Sequence, residues 1–253
     1  MMRKLNYWIL YISLLCFSSL LHAVTKEVPL EELKPGKEQR QTALIVNRVL
    51  QKYHYRKVSL DDELSSRILD KYLESLDPNK SFFTQRDIDG FEKYRYKLDE
   101  AIAHGWLDPA YEIFKRFRGR VEQQVAWALE LLEKNQFDFT RKESYLYDRG
   151  DAPWVENEEA LRELWRKRVK NDILGLRLSG KKEEKIRETL RKRYETLRRR
   201  VIQLDAGDVF QTFLNAYTLT IEPHTAYMSP ERSENFDISM RLSLQGIGAV
   251  LKS

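Results

Sequence analysis

Apolar residues recur at steps of three and four along most of the chain, the spacing that puts side chains on one face of an α-helix. Ala43, Val46, Val49, Leu50 and Tyr53 predict a first helix running through them. Leu64, Ile68, Tyr72, Leu73 and Leu76 predict a second, with Ser59 as its expected N-cap. Asp61, Asp62 and Glu63 put negative charge on its first turn, where backbone N–H groups lack partners, and Asp77-Pro78 ends it. Thr84 with Asp87 has the form of a capping box, and one helix is expected to run from there through Ile88, Phe91, Leu98 and Ile102 to Gly105. Asp108-Pro109 opens the next, a capping side chain before a proline, with Ile113, Phe114, Phe117, Val121, Val125, Leu129 and Leu132 along it.

The rhythm breaks between Phe137 and Trp154. Phe137, Phe139, Tyr145, Tyr147 and Trp154 lack helical spacing and predict a loop held on the core by its rings. Asn157 caps a helix through Leu161, Leu164, Trp165, Val169 and Ile173, with Gly180 in the turn after it. Ile186, Leu190, Tyr194, Leu197, Val201 and Leu204 then describe a long amphipathic helix suited to a helical neighbour. A final helix is expected from Val209 to about Leu219, ending near Glu222-Pro223. After Pro230 the residues from Ser239 to Leu244 alternate polar and apolar, and Gly246 to Leu251 has the form of a loop entering a strand. The fold class is therefore all-α, a multi-helix domain over residues 37–235, followed at 236–253 by a linker and the start of a strand.

The amino terminus sets the expected compartment. Met1 to Lys4 is short and basic, Tyr7 to Leu21 is an unbroken run of apolar and small polar residues, and Ala23 stands at a cleavage position. That is the pattern of a secretory signal over residues 1–23, too short to serve as a membrane span. Residues 24–36, with Pro29 and Pro35 among charges, predict an extended lead-in. The one cysteine, Cys16, lies inside the signal behind Leu14-Leu15, so the mature chain has no thiol for a disulfide, a metal or a nucleophile. Losing Arg3 and Lys4 lowers the formal charge from +5 to +3 (5 − 2), a mild excess that does not in itself point to nucleic acid. No integral membrane segment is expected once the signal is removed.

Candidate chemistry is sparse. His54, His104 and His224 show no helical metal-pair spacing, and neither a nucleophile elbow nor a phosphate loop is present, so no catalytic residue, metal or cofactor is assigned. The stretch from Lys185 to Arg200 is strongly basic and could neutralise the phosphates of a nucleic acid, but Glu188 and Glu195 interrupt it. A solvated helix face is the preferred reading, nucleic acid is not expected as a partner, an acidic protein partner is the middle option, and an anionic surface is a further alternative. Gly246-Ile247-Gly248 fits any tight turn, or a loop whose N–H groups accept a peptide's terminal carboxylate while the next strand pairs with that peptide.

The segment from Glu222 through Pro223-His224-Thr225-Ala226-Tyr227-Met228-Ser229 to Pro230, followed by Ser243 to Leu251, resembles the junction between the helical N-terminal domain and the PDZ domain of tail-specific (carboxy-terminal processing) proteases. Ser75-Leu76-Asp77-Pro78, Asp151-Ala152-Pro153-Trp154 through Trp165, and Ile186 to Leu190 are similar to the same family in the same order. The resemblance implies a periplasmic serine endopeptidase that recognises protein substrates by exposed apolar C-terminal ends through its PDZ domain. In that family a lysine serves as general base for the catalytic serine, both downstream of the PDZ domain. No residue of this chain takes either role, and the chain alone is expected to be inactive. Gln245, Gly246, Ile247 and Gly248 would belong to the carboxylate-binding loop of an incomplete PDZ domain. A helical-repeat lipoprotein adaptor is an implied partner. The rival reading is a stand-alone helical interaction module that binds an adaptor or a full-length protease.

Overall fold

The computed structural model describes residues 27–134 and 137–241. Nine α-helices account for most of them: α1 (Lys37–Tyr53), α2 (Asp62–Leu76), α3 (Gln85–Phe91), α4 (Leu98–His104), α5 (Asp108–Lys134), α6 (Glu158–Leu178), α7 (Glu183–Ile202), α8 (Ala206–Ile221) and α9 (Pro230–Arg241). Among the described residues the one β-type pairing is an isolated parallel bridge between Thr84 and Val155. The all-α expectation holds; the loop entering a strand expected over Gly246 to Leu251 lies outside the described residues.

Helix α5 is the spine. It is 27 residues long, about 40 Å at the helical rise, and α6, α7 and α8 all lie against it, while α2 lies chiefly on α8. Ile113, Phe114, Phe117, Val121 and Val125 are buried along its length. Around Phe117 the rings of Phe82, Phe83 and Phe114 meet, and Trp165 and Trp154 complete the cluster from α6 and the aromatic loop. The Trp165 indole N–H donates to the Ser81 carbonyl at 2.6 Å, so the ring is buried without an orphaned donor.

The capping chemistry explains where helices begin. Thr84 and Asp87 form the expected box, each side chain meeting the other's backbone N–H. Asp87 also accepts from Arg116 at 2.6 Å and from Arg120 at 2.8 Å, and Arg120 reaches on to Glu158 at 2.8 Å. These bonds tie α3, α5 and α6 into one network with buried Asp87 and Arg120 at its centre and half-exposed Arg116 and Glu158 at its ends. Burial alone would push the Asp87 carboxyl up, yet the bonds from Arg120, the Thr84 N–H and Arg116 hold it below the usual carboxylate value. Asn157 caps α6 as expected, and Gly105 and Gly180 both sit at positive φ beyond helix ends.

Several expectations are corrected. Asp61, not Ser59, caps α2: its carboxylate accepts the Leu64 N–H at 3.0 Å. The single helix expected from Ile88 to Ile102 is two helices joined by a 3-10 turn over Glu92–Tyr94, and Leu98 starts α4 by donating its N–H to the Ser65 hydroxyl. The lead-in turns at Pro29–Leu33 rather than running extended, and it is anchored, since the Val28 N–H donates to the Ile202 carbonyl and buried Arg118 pairs with Glu27. On α1, Ala43 and Leu50 are buried, but Val49 is 48% and Tyr53 69% exposed. Tyr147, expected on the core, is exposed, whereas Phe137, Phe139, Tyr145 and Trp154 do lie against it. Helix α8 is not the last: Ser239, Met240 and Arg241 of the expected alternation belong to α9. Ser229 accepts the Ser233 N–H on its carbonyl, and Pro230 and Glu231 follow as a proline and an acid in the first turn.

Candidate functional site

Asp77 organises the turn that ends α2. Its carboxylate is buried and accepts three backbone N–H groups, from Ser81 at 2.8 Å, Phe82 at 2.8 Å and Phe83 at 2.9 Å. Burial pushes its carboxyl above the ordinary value, against the downward pull of those bonds and of Arg168. The turn carries Lys80 at φ 45°, the left-handed region that a side chain other than glycine rarely takes. From there the Lys80 ammonium donates to the Ala152 carbonyl at 2.7 Å and lies 5.7 Å from the centre of the Trp154 ring. Asn79 grips the same loop twice: Nδ2 donates to the Tyr147 carbonyl at 3.0 Å, and Oδ1 accepts the Arg149 N–H at 2.7 Å. Two sequence segments some seventy residues apart, Ser75–Pro78 and Asp151–Trp154, are thereby joined around one turn.

The third segment, Glu222 to Pro230, folds back over α8. Glu222 accepts from the His224 N–H at 2.8 Å and from the Thr225 hydroxyl at 3.1 Å. Thr225 is also bonded to His54 Nε2 at 2.9 Å, beyond the end of α1. On the other side of the ring, Nδ1 lies 3.1 Å from the Arg56 nitrogen and 3.2 Å from the Arg56 carbonyl oxygen. Three polar side chains of α8 then hold the returning chain in sequence. Asn215 Oδ1 accepts the Tyr227 N–H at 2.7 Å, Gln211 Oε1 accepts the Ser229 N–H at 3.3 Å, and Asp208 accepts from the Arg232 guanidinium at 3.3 Å. The Tyr227 ring meets Phe210 edge-on at 5.6 Å.

These segments share a cleft of about 870 Å³ between α2, α3, the aromatic loop and the end of α8. Asp77, Pro78 and Lys80 contribute from the first segment, Gly150, Asp151 and Trp154 from the region of the second, and Pro223 from the third. Its charges are largely paired with one another. Arg95 bonds Glu92, Asp70 at 3.0 Å and the Ser66 hydroxyl at 2.8 Å; Lys71 pairs with Glu74; and Arg67 donates to the Thr220 carbonyl at 2.8 Å. A wall of balanced, hydrogen-bonded charge beside an indole suits a mixed-polarity polypeptide segment better than a single strongly charged ligand.

Ala23 and the predicted loop residues Gln245, Gly246, Ile247 and Gly248 lie outside the described residues. His54 joins the junction, His104 bonds the Glu100 carbonyl one turn back, and His224 is exposed. Among the described residues no three His, Cys, Asp or Glu side chains form a group able to hold a metal ion. Sequence reasoning did not single out Gln211 and Asn215, although two amides four residues apart, on a helix whose buried positions are mostly apolar, mark a face with a polar task.

Residues 46–231 match a family model described as the tail specific protease N-terminal domain. Over 201 residues the chain is 41% identical to a tail-specific protease of Haemophilus influenzae, an alignment that covers 79% of this chain and 29% of that protein. The chain thus spans under a third of the length of the curated relative it matches. All three segments that line the cleft fall inside the matched region. The chain belongs to the tail-specific protease family, and its helical body is the N-terminal domain of that family.

Proposed function

We propose that this chain is the scaffold and substrate-handling part of an exported, periplasmic tail-specific serine endopeptidase, with the serine and lysine that cleave the peptide bond supplied by residues outside it. Export rests on the secretory pattern of residues 1–23 and cleavage after Ala23. Substrates are proteins with exposed apolar C-terminal ends, bound by a PDZ domain to which Gln245–Gly248 contribute the carboxylate-binding loop. One observation carries the reading: Pro223 both lines the cleft and belongs to the junction held by His54, Asn215 and Gln211. The surface suited to a polypeptide and the point at which the chain leaves the helical body are therefore parts of one connected unit.

In this arrangement the domain performs no bond-breaking step. It holds an unfolded segment along the cleft by hydrogen bonds and directs the following residues, through α9, away in a set orientation. The test uses the chain from Val24 onward and an unfolded protein ending in an apolar tail. The expected result is no cleavage, together with capture of the substrate by a photo-cross-linker placed at Asp151. Cleavage abolished by a single serine substitution, or no capture at Asp151, overturns the reading.

A stand-alone module that binds an adaptor or a full-length protease is the second reading, and the outward Ile45, Val49 and Tyr53 of α1 favour it. It gains if Ile45→Asp abolishes such binding while no substrate is captured at the cleft.

A further inference from the structure

Charge is divided unevenly between the α6–α7 hairpin and everything else. Residues 158–202 hold sixteen Lys and Arg against eight Asp and Glu, a net of +8; the whole chain is +5, which leaves −3 (5 − 8) for the remainder. Within α7 the charges are sorted by face. Steps of seven put Lys185, Lys192 and Arg199 in one row and Arg193 and Arg200 in the next, with Thr189 and Thr196 between. Ile186, Leu190 and Tyr194 point into the core, and Glu184, Glu188 and Glu195 form a row at the far edge.

Arg168 of α6 extends the basic face, its guanidinium 4.4 Å above the Trp165 ring. With Lys192, Arg193 and Arg200 it borders a shallow depression of about 440 Å³. Lys185 and Lys192 share Glu188, and Arg193 stands 3.6 Å from Asp172. Arg168, Lys181, Lys182, Arg199 and Arg200 have no carboxylate partner among the described residues. At the tip of the hairpin, Leu174 and Leu178 stand one turn apart and are 40% and 81% exposed, immediately before Lys181 and Lys182.

We infer that the α6–α7 hairpin docks on an anionic lipid bilayer, with the basic face of α7 toward the headgroups and Leu178 entering the interface at the tip. The cations from Lys182 to Arg200 extend over about 27 Å along the helix, longer than any single small anion and matched to a charged plane. Lys192, Arg193 and Arg200 border the one depression with Arg168, while Lys182, Lys185 and Arg199 lie outside its lining, so the row as a whole faces outward and is not gathered on one pocket. Leu178, the last residue of α6, projects between Arg177 and the Lys181-Lys182 pair, an exposed apolar group among cations that sits well at the boundary of headgroup and acyl chain. No helix among the described residues is long and apolar enough to cross a membrane, so the contact is peripheral. Few apolar groups contribute, and the attachment is reversible and weakened by salt. This inference does not depend on the substrate-handling reading.

The test is co-sedimentation of the chain from Val24 onward, which keeps every described residue, with vesicles of neutral lipid alone or with about one third anionic lipid. Binding is expected to the anionic vesicles only and to fall steeply between low and high salt. Changing Lys182, Arg199 and Arg200 together to Glu is expected to weaken it about 100-fold or more. The same charge change at Lys34, Lys37 and Arg56 is expected to cost less than about 5-fold, which separates a local surface from net charge. Leu178→Glu, which leaves every basic residue in place, is expected to weaken binding about 10-fold. Equal loss in the two triple variants, equal binding to neutral vesicles, or capture of poly-glutamate or duplex DNA with the vesicles left unbound overturns the inference.

Discussion

Helices α7 and α1 both look amphipathic from their sequences, and the structure treats them differently. On α7, Ile186, Leu190, Tyr194 and Val201 are all buried against α5 and α6, and the polar face is continuous. On α1 the apolar residues fall into two sets: Ala43 and Leu50 point inward, while Ile45, Val49 and Tyr53 lie on the open side. Periodicity identifies a helix wherever apolar residues return every three or four positions. It identifies the buried face only when the other positions are polar, as they are on α7. Where a helix is apolar on two sides, packing with neighbours decides, and α1 has α4 and α8 on one side only.

The largest test of this contrast substitutes a tyrosine on each helix. Tyr194→Ala removes a buried ring that meets Trp165 at 6.1 Å and a hydroxyl that donates to Asp172 at 2.7 Å, and is expected to lower stability by about 3–5 kcal/mol in urea unfolding. Tyr53→Ala is expected to change it by less than about 0.5 kcal/mol; a larger loss would mean that the open side of α1 is covered in solution.

Next in size is Asp87→Asn, which leaves Arg120 buried with Glu158 as its remaining carboxylate and is expected to cost about 2 kcal/mol at neutral pH. The sign of its pH dependence follows from the depressed Asp87 carboxyl. Its stabilisation is fully present above the unfolded value of about 4 and is lost as pH falls through the lower folded value. Denaturation midpoints measured from pH 6 down to pH 2 are expected to fall more steeply for the parent than for Asp87→Asn; parallel curves would remove Asp87 from that role. The smallest effect compares two candidate caps of α2. Asp61→Ala is expected to cost about 1 kcal/mol and Ser59→Ala almost nothing; the reverse order would return the cap to Ser59.

Much of the body was legible in the sequence for physical reasons. Helices α2, α5, α6, α7 and α8 each show an apolar stripe against a polar remainder, and Thr84 with Asp87 and Asn157 mark helix starts by chemistry that acts within one turn. The break between α3 and α4 was not legible because Ser65, a residue of another helix, supplies the acceptor for the Leu98 N–H. Helix α9 was legible and overlooked, for Ser229-Pro230-Glu231 carries its starting signal while the alternation from Ser239 suggested a strand. For the cleft, the three segments stood out as strings. Their meeting depends on bonds made by Asn79 and Lys80 across about 70 residues and by Arg67 to Thr220 across 153, which spacing along one chain does not encode.

The bonds that hold the junction to α8 work like a rack and pinion with matched teeth. Four helical residues, from Gln211 to Asn215, advance about 6 Å, and two extended residues, from Tyr227 to Ser229, advance nearly the same distance. Slipping the connector by one residue would present a side chain where an amide hydrogen is required, so no intermediate setting exists. A slip of two meets the Thr225 amide, already given to the Glu222 carbonyl, or Glu231, already wound into α9. The heading at which the polypeptide departs is therefore set by the one register in which the Glu222–Ser229 connector engages α8.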